Sequence, residues 1–413
     1  MMTKIIFHID VNSAYLSWSA VYSLQHGGAL DYRTVPSVVG GNEENRHGIV
    51  LAKSIPAKKY RIMTGESLAS ARKKCPNLLV IPPDYKYFMK SSNSMMRLIY
   101  EYSPIIQRYS IDESFVDMSH YKDNYMEIAM ELSNRIKKEL GFTVNIGISE
   151  NKLLAKMGSE LEKPDKVHRL FKTDLPIKLW PLPVRNLFFV GRKTEEKLNS
   201  RGIYTIGDLA NCEREYIKNW LKKPCEQIWE FANCIENSNV KDYKSPVKSM
   251  GNSTTIAFDV DSRDEAEKVI LGLCEMVGMR LREANFRGYV IAISIKDSEL
   301  VSYRRQKKLD APTCNTNTIF YCAMLLFDEL WNKKALRQIS VRMSDLVDNF
   351  SYQFTMFQAY DEKAERLDRA IDDIRKIHGN GAIHRACFLD SRISPVIGGV
   401  MEDEEYIMMS SEL

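Results

Sequence analysis

Ile105-Ile106-Gln107-Arg108-Tyr109-Ser110-Ile111-Asp112-Glu113-Ser114-Phe115-Val116-Asp117-Met118 is the stretch from which the fold is read. Two strand-like runs, 105–109 and 114–118, bracket a two-residue acidic turn. Roughly a hundred residues earlier, an apolar β-leaning run at 4–9 ends at Asp10. Asn12 and Ser13 follow it as caps for the next helix. A helix over 85–102 leads into Pro104. Another over about 123–139 and a strand at 143–149 complete an alternating α/β unit. The spacing therefore brings Asp10 toward Asp112 and Glu113 on neighbouring strands.

Phosphoryl transfer asks little covalent chemistry of a protein. It needs in-line geometry and cations that neutralise the attacking and leaving oxygens. Two Mg²⁺ ions about 3.5–4 Å apart do this, held by hard oxygen ligands from more than one chain segment. Asp10, Asp112 and Glu113 supply such oxygens. On spacing alone, the same residues also read as a polar hairpin turn and a helix cap.

The wider sequence separates these readings. Ser110-Ile111-Asp112-Glu113-Ser114-Phe115 resembles the S-I-D-E-[SA]-F signature of Y-family DNA polymerases, the DinB/UmuC group. Phe7-His8-Ile9-Asp10-Val11-Asn12-Ser13-Ala14-Tyr15 is similar to that family's opening metal-binding strand. The run from Asn145 to Lys156, followed by Glu162-Lys163-Pro164, resembles its G-I-[AS]-x-[NS]-K-x-[LF]-A-K motif and what lies beyond it. The likeness extends to about residue 350.

The resemblance implies an α+β multidomain chain with right-hand polymerase architecture. The palm takes 1–11 and 83–172, small fingers take 12–82, and a helical thumb with a helix-hairpin-helix takes 173–240. A linker at 241–251, a little finger at 252–350 and a C-terminal tail at 351–413 follow. Two Mg²⁺ ions are implied at Asp10, Asp112 and Glu113, with the carbonyl of Val11. Nucleotide contacts fall to Ser13, Ala14, Tyr15, Lys58 and Lys163. Tyr15 stands at the steric gate that excludes a 2′-hydroxyl, while Lys58 and Lys163 meet the triphosphate as point charges. Ile55 replaces the tyrosine common in the DinB branch, as in UmuC-like members, and Asn12 replaces a frequent Asp.

Leu187-Phe188-Phe189-Val190-Gly191, then Gly202-Ile203 and Thr205 to Leu209, resembles a helix-hairpin-helix, whose backbone N–H groups approach phosphate at Gly191 and Gly202. Arg304, Arg305 and Lys307 follow an apolar strand and match the DNA face of the little finger. Gln353-Phe354-Thr355-Met356-Phe357 resembles the peptide inserted into the bacterial sliding clamp, with Gln353, Phe354, Met356 and Phe357 as its anchors. Beyond it, Ala364, Leu367, Ile371 and Ile374 recur at the spacing of one helix face.

Charge agrees with a nucleic-acid partner. From Ser351 onward 7 basic residues face 12 acidic ones, which leaves 51 against 42 in residues 1–350, or +9. The acidic tail argues against DNA there, so another protein or the catalytic body is its expected partner. Eight scattered cysteines without a C-x-x-C argue against disulfides and zinc and suit a reducing cytoplasm. No run of 18 uncharged apolar residues marks a membrane span. The expectation is a monomeric, error-prone polymerase acting on primer-template DNA and dNTPs. A DNA- and clamp-binding relative with little catalysis is the alternative. A nucleotide cyclase on a palm fold would lack the hairpin and the little finger.

Overall fold

The computed structural model describes residues 4–43, 46, 48–221, 224–241, 247–349, 362–389 and 391–393. Its strands are β1 (Ile6–Val11), β2 (Ser37–Gly40), β3 (Val50–Lys53), β4 (Leu79–Ile81), β5 (Ile106–Arg108) and β6 (Glu113–Asp117). They continue as β7 (Val144–Ser149), β8 (Val167–Arg169), β9 (Ser249–Val260), β10 (Phe286–Asp297), β11 (Ser302–Thr313) and β12 (Leu336–Asp348). One compact unit takes the described residues of 1–41 and 49–244. The other takes those of 42–48 and 245–402.

The first unit is built on a five-stranded sheet in the order β5-β6-β1-β7-β8. β1 is central and wholly buried, which explains its near-continuous apolar run. Its pleat sends Phe7, Ile9 and Val11 into the main core, against Phe88, Met95 and Ile99 of the helix Tyr85–Tyr100. The alternate residues His8 and Asp10 face the other side, under the helix Lys152–Glu160. Gly147 of β7 allows that helix to lie so close. A Cβ there would stand 1.9 Å from the Ala155 carbonyl oxygen and 2.4 Å from the Ser159 nitrogen. A three-stranded sheet, β3-β2-β4, carries a separate small core of Val38, Val50, Ile62 and Leu68. Short helices between 175 and 232 form a third core.

The second unit is a sheet in the order β11-β10-β12-β9, antiparallel throughout, covered on one face by the helices Arg263–Glu283 and Thr316–Leu330. Ile291, Ile293, Ile295, Ile339 and Val341 point into the helices. β9 begins at Ser249, inside the stretch that the sequence assigns to a linker.

The helix Glu362–His378 forms where the apolar spacing places one, yet it packs by the other face. Leu367 is 57% exposed and Ile374 39%, while Glu365, Asp368 and Arg375 are buried. Arg282 reaches Asp372 at 2.5 Å and Asp368 at 3.2 Å, Arg287 grips Glu365 at 2.6 and 2.8 Å, and Arg375 meets Glu275 at 2.8 Å. Asp368 also accepts from the backbone nitrogen of Thr316 at 2.9 Å, at the positive end of the helix Thr316–Leu330. Three acidic residues of this helix, Glu365, Asp368 and Asp372, are thus taken up by arginines of its own unit. Among the described residues, no helix is long and apolar enough to cross a membrane.

Candidate active site and nucleic-acid interface

The acidic pair is not a symmetrical turn. Glu113 already belongs to β6 and pairs in register with Asp10 of β1, while Asp112 precedes the strand. The backbone nitrogen of Val11 donates to the carbonyl of Asp112 at 3.1 Å. Two antiparallel strands therefore bring Asp10, Val11, Asp112 and Glu113 to one end of the sheet.

Each carboxylate has its own partner. Asp10 accepts a hydrogen bond from the Lys163 ammonium, which also meets Glu160 at 2.6 Å. Asp112 accepts from the Ser110 hydroxyl at 2.5 Å. Glu113 accepts from Lys156 at 2.6 Å, and the imidazole of fully buried His8 lies 3.6 Å from it. Lys156 is enclosed, with its ammonium 5.1 Å from the centre of the Tyr109 ring and 5.4 Å from that of Phe188.

Burial dominates the electrostatics. It raises the Asp10 carboxyl to about 7, against the pull of Lys163, and raises Asp112 despite Ser110. Burial alone would raise Glu113 too, but His8 and Lys156 outweigh it and hold that group at about 2. Desolvation drops His8 to about 4. It is uncharged at neutral pH, so Lys156 is the standing counter-charge on Glu113.

Hard oxygen donors from two strands are the right chemistry for Mg²⁺. Their backbones adjoin. Among the described residues, no three His, Cys, Asp or Glu side chains gather closely enough to hold a metal ion. Position and donor type fit two cations; the present side-chain directions serve the internal partners.

The nucleotide candidates occupy the segment leaving β1. Ser13 holds a left-handed backbone, φ 50°, at the head of the helix Ala14–Gln25, and its side chain makes no capping bond. Nor does Asn12 cap, as the sequence suggests. Its amide donates to Asn145 at 2.9 Å, and its oxygen accepts from Thr143 at 2.9 Å and the Asp165 nitrogen at 2.8 Å. An aspartate would lose the donor. Ala14 is buried, and Tyr15 stacks on Phe88 at 4.6 Å and 12°, with Tyr85 edge-on. Lys58 is exposed on the short helix Ile55–Lys59, near enough to Lys53 to lower its pKa further after burial has done so.

For nucleic acid, Gly191 heads the helix Arg192–Asn199 with open space where a Cβ would be. Gly202, at φ +78°, turns the chain toward the helix Ile206–Asn211. Thr205 and Asp208 cap that helix reciprocally, Thr205 accepting from the Asp208 nitrogen at 3.0 Å and Asp208 from the Thr205 nitrogen at 2.8 Å. In the second unit, the alternation of β11 divides the basic trio. Arg304 pairs with Ser294 on the open face of the sheet. Arg305 and Lys307 pair with the core residues Ile293 and Ile291, so they rise from the helix-covered side. The open face holds a groove of about 250 Å³ with Ser253, Ser294 and Ser340 at its floor and Lys296, Arg304 and Arg342 around it. Lys296 and Arg342 went unassigned in the sequence, although a period-2 count from Arg304's strand partners finds them. Lys156 and His8 were also missed as functional residues. Both sit inside the quoted motifs, and Lys156, Glu160 and Lys163 follow a helical i, i+4, i+7 rhythm. Gln353, Phe354, Met356 and Phe357 lie outside the described residues.

Comparison with known proteins bears on the whole chain. The impB/mucB/samB family matches residues 9–160, the C-terminal domain of the same family matches 247–356, and the IMS family HHH motif matches 172–203. The chain is 46% identical to a DNA polymerase IV of Clostridium acetobutylicum over 392 residues, covering 94% of this chain and 99% of that one. It is 38% identical to a DNA polymerase IV of Acetivibrio thermocellus (95% and 99% covered) and 33% identical to DNA polymerase IV 1 of Bacillus subtilis (96% of each). Among solved structures it resembles a Y-family DNA polymerase chimera, Dbh-Dpo4(243-245)-Dbh. The TM-score is 0.72 at 20% identity, over 84% of this chain and 100% of the other.

Proposed function

The chain belongs to the impB/mucB/samB family of Y-family DNA polymerases, and from that premise we infer a template-directed, low-fidelity DNA polymerase that extends primers past damaged template bases. The observation that carries this reading in the structure is the in-register juxtaposition of Asp10 and Glu113, with Asp112 bonded across to Val11.

The family's chemistry is metal-dependent. In this reading, Asp10, Asp112, Glu113 and the Val11 carbonyl hold two Mg²⁺ ions. When bound, the ions neutralise charge on the attacking 3′-oxygen and on the leaving pyrophosphate. Lys156 keeps Glu113 ionised and aimed. Ser13 and Ala14 border the triphosphate through the backbone, and Lys58 and Lys163 supply positive charge to it. Tyr15, braced by Phe88 and Tyr85, meets the sugar face. A ring held that firmly cannot yield to a 2′-hydroxyl.

DNA is gripped without reading sequence. Gly191 and Gly202 admit phosphates to helix starts, and Arg304 contributes from the open sheet face. The proposal extends to a bacterial sliding clamp taking Gln353, Phe354, Met356 and Phe357, and to a monomer working in the cytoplasm.

Primer extension tests the core of this. Purified protein with Mg²⁺, dNTPs and a primer-template is expected to add nucleotides. Asp112→Ala is expected to cut the rate by on the order of 10²–10³-fold, the usual size for losing an electrostatic stabiliser. No extension by the wild type, or an undiminished Asp112→Ala, sinks the reading. A template carrying one defined lesion then measures bypass.

A further inference from the structure

The three carboxylates differ in how their internal partners are held. Lys156, on Glu113, is 9% exposed and walled in by Tyr109 and Phe188. Ser110, on Asp112, is a neighbour in the same turn. Lys163, on Asp10, is different. It stands beyond the end of the helix Lys152–Glu160, its side chain is 29% exposed, and its second partner Glu160 is 48% exposed. Of the two lysines on these carboxylates, Lys163 has the freer path outward. Asp10, by contrast, is 7% exposed and lies deep at the strand end.

An ammonium seated on a buried carboxylate does what a bound cation would do there. It satisfies lone pairs and cancels charge that burial makes costly. It also repels any second cation drawn to the same oxygens. We propose that Lys163 is a tethered counter-cation, seated on Asp10 while the nucleotide site is empty and drawn off by the polyphosphate of an incoming nucleotide, which frees Asp10 for a divalent ion. The idea rests on the polymerase reading for the nucleotide. Its new content is that one lysine links nucleotide and metal occupancy. Linkage is reciprocal, so a cation on Asp10 raises nucleotide affinity by the same factor. The contact seen here fits the arrangement, because one Asp10 oxygen is already taken by the Lys163 ammonium.

The test uses the full chain without DNA or nucleotide, and Mn²⁺ alone as the probe. Binding is followed from the electron paramagnetic resonance signal of free Mn²⁺. Lys163→Met and Lys163→Gln, both neutral and of similar length, are expected to bind Mn²⁺ at least about fivefold more tightly than the wild type, the lower end of ordinary coupling between sites. Lys163→Arg keeps the charge and is expected to stay at the wild-type affinity. Adding Asp10→Asn to Lys163→Met is expected to abolish the gain. Thermal unfolding of each variant certifies that the site is intact. Unchanged or weaker binding in both neutral variants overturns the proposal, as does a gain that survives Asp10→Asn. Primer extension by the wild type is a separate readout, so the counter-cation can fail while the polymerase reading stands.

Discussion

At the residue scale, burial decides the behaviour of Asp10. Burial lifts its carboxyl from the ordinary 3.8 to about 7, even with the Lys163 ammonium beside it. Between those values the folded state binds more protons than the unfolded state. The contribution of this group to stability therefore falls as pH rises through that window and levels off above it. Asp10→Asn removes the dependence. In metal-free buffer, the variant is expected to gain on the wild type between pH 5 and pH 8 in urea unfolding; a constant difference would contradict the shift. Tyr15 yields a second prediction. Its ring is wedged on Phe88 and Tyr85. Tyr15→Ala is expected to raise the ratio of ribonucleotide to deoxyribonucleotide incorporation by on the order of 10²-fold, since discrimination here is a matter of shape. A ratio that does not move removes Tyr15 from the gate. Asp10, Asp112 and Glu113 were legible in the sequence because acidic residues at strand ends stand out. The partners Lys156 and His8 were not, because contacts across 43 and 105 positions leave no local signature.

At the element scale, β11 shows what a pleat adds to a charge run. Tyr303-Arg304-Arg305-Gln306-Lys307-Lys308 reads as one basic stripe in sequence, but alternate residues leave on opposite faces. Arg304, Lys296 and Arg342 share the open face with three serines. Arg304→Ala is expected to weaken primer-template binding and flatten its dependence on log salt by about 0.9, the value of one phosphate contact. Lys307→Ala, on the other face, is expected to leave that slope nearly unchanged. Equal effects from the two would mean that the faces do not sort the contacts. Gly147 makes the same point within the palm. The glycine is visible in a G-I-S motif, but only packing shows the close seat of the helix Lys152–Glu160, and with it the reach of Lys156 to Glu113.

Across the whole molecule, the helix Glu362–His378 reverses the usual rule of amphipathic packing. Its apolar stripe is largely exposed, and its inward face carries Glu365, Asp368, Asp372 and Arg375 in buried ion pairs. Breaking such a pair strands a charge in a poor solvent. Arg282→Met removes the guanidinium from both Asp368 and Asp372 and is expected to cost ~3–5 kcal/mol in urea unfolding of the second unit. Leu367→Ser, at an exposed position, is expected to change stability by no more than about 0.5 kcal/mol. The opposite ranking would mean that the stripe, not the charges, holds the helix.

The sequence by itself determined the strands and helices that carry the carboxylates, the order of those carboxylates along the chain and the family to which they belong. Those features are local or carried by short motifs, and apolar periodicity and turn chemistry record them directly. Only the tertiary structure decided that Glu113 faces Asp10 in register, that Lys163 rather than a neighbouring carboxylate meets Asp10, and that the tail helix docks by its charges. These depend on which side chains desolvate together. Periodicity along a chain shows that a face exists, but not what that face will meet.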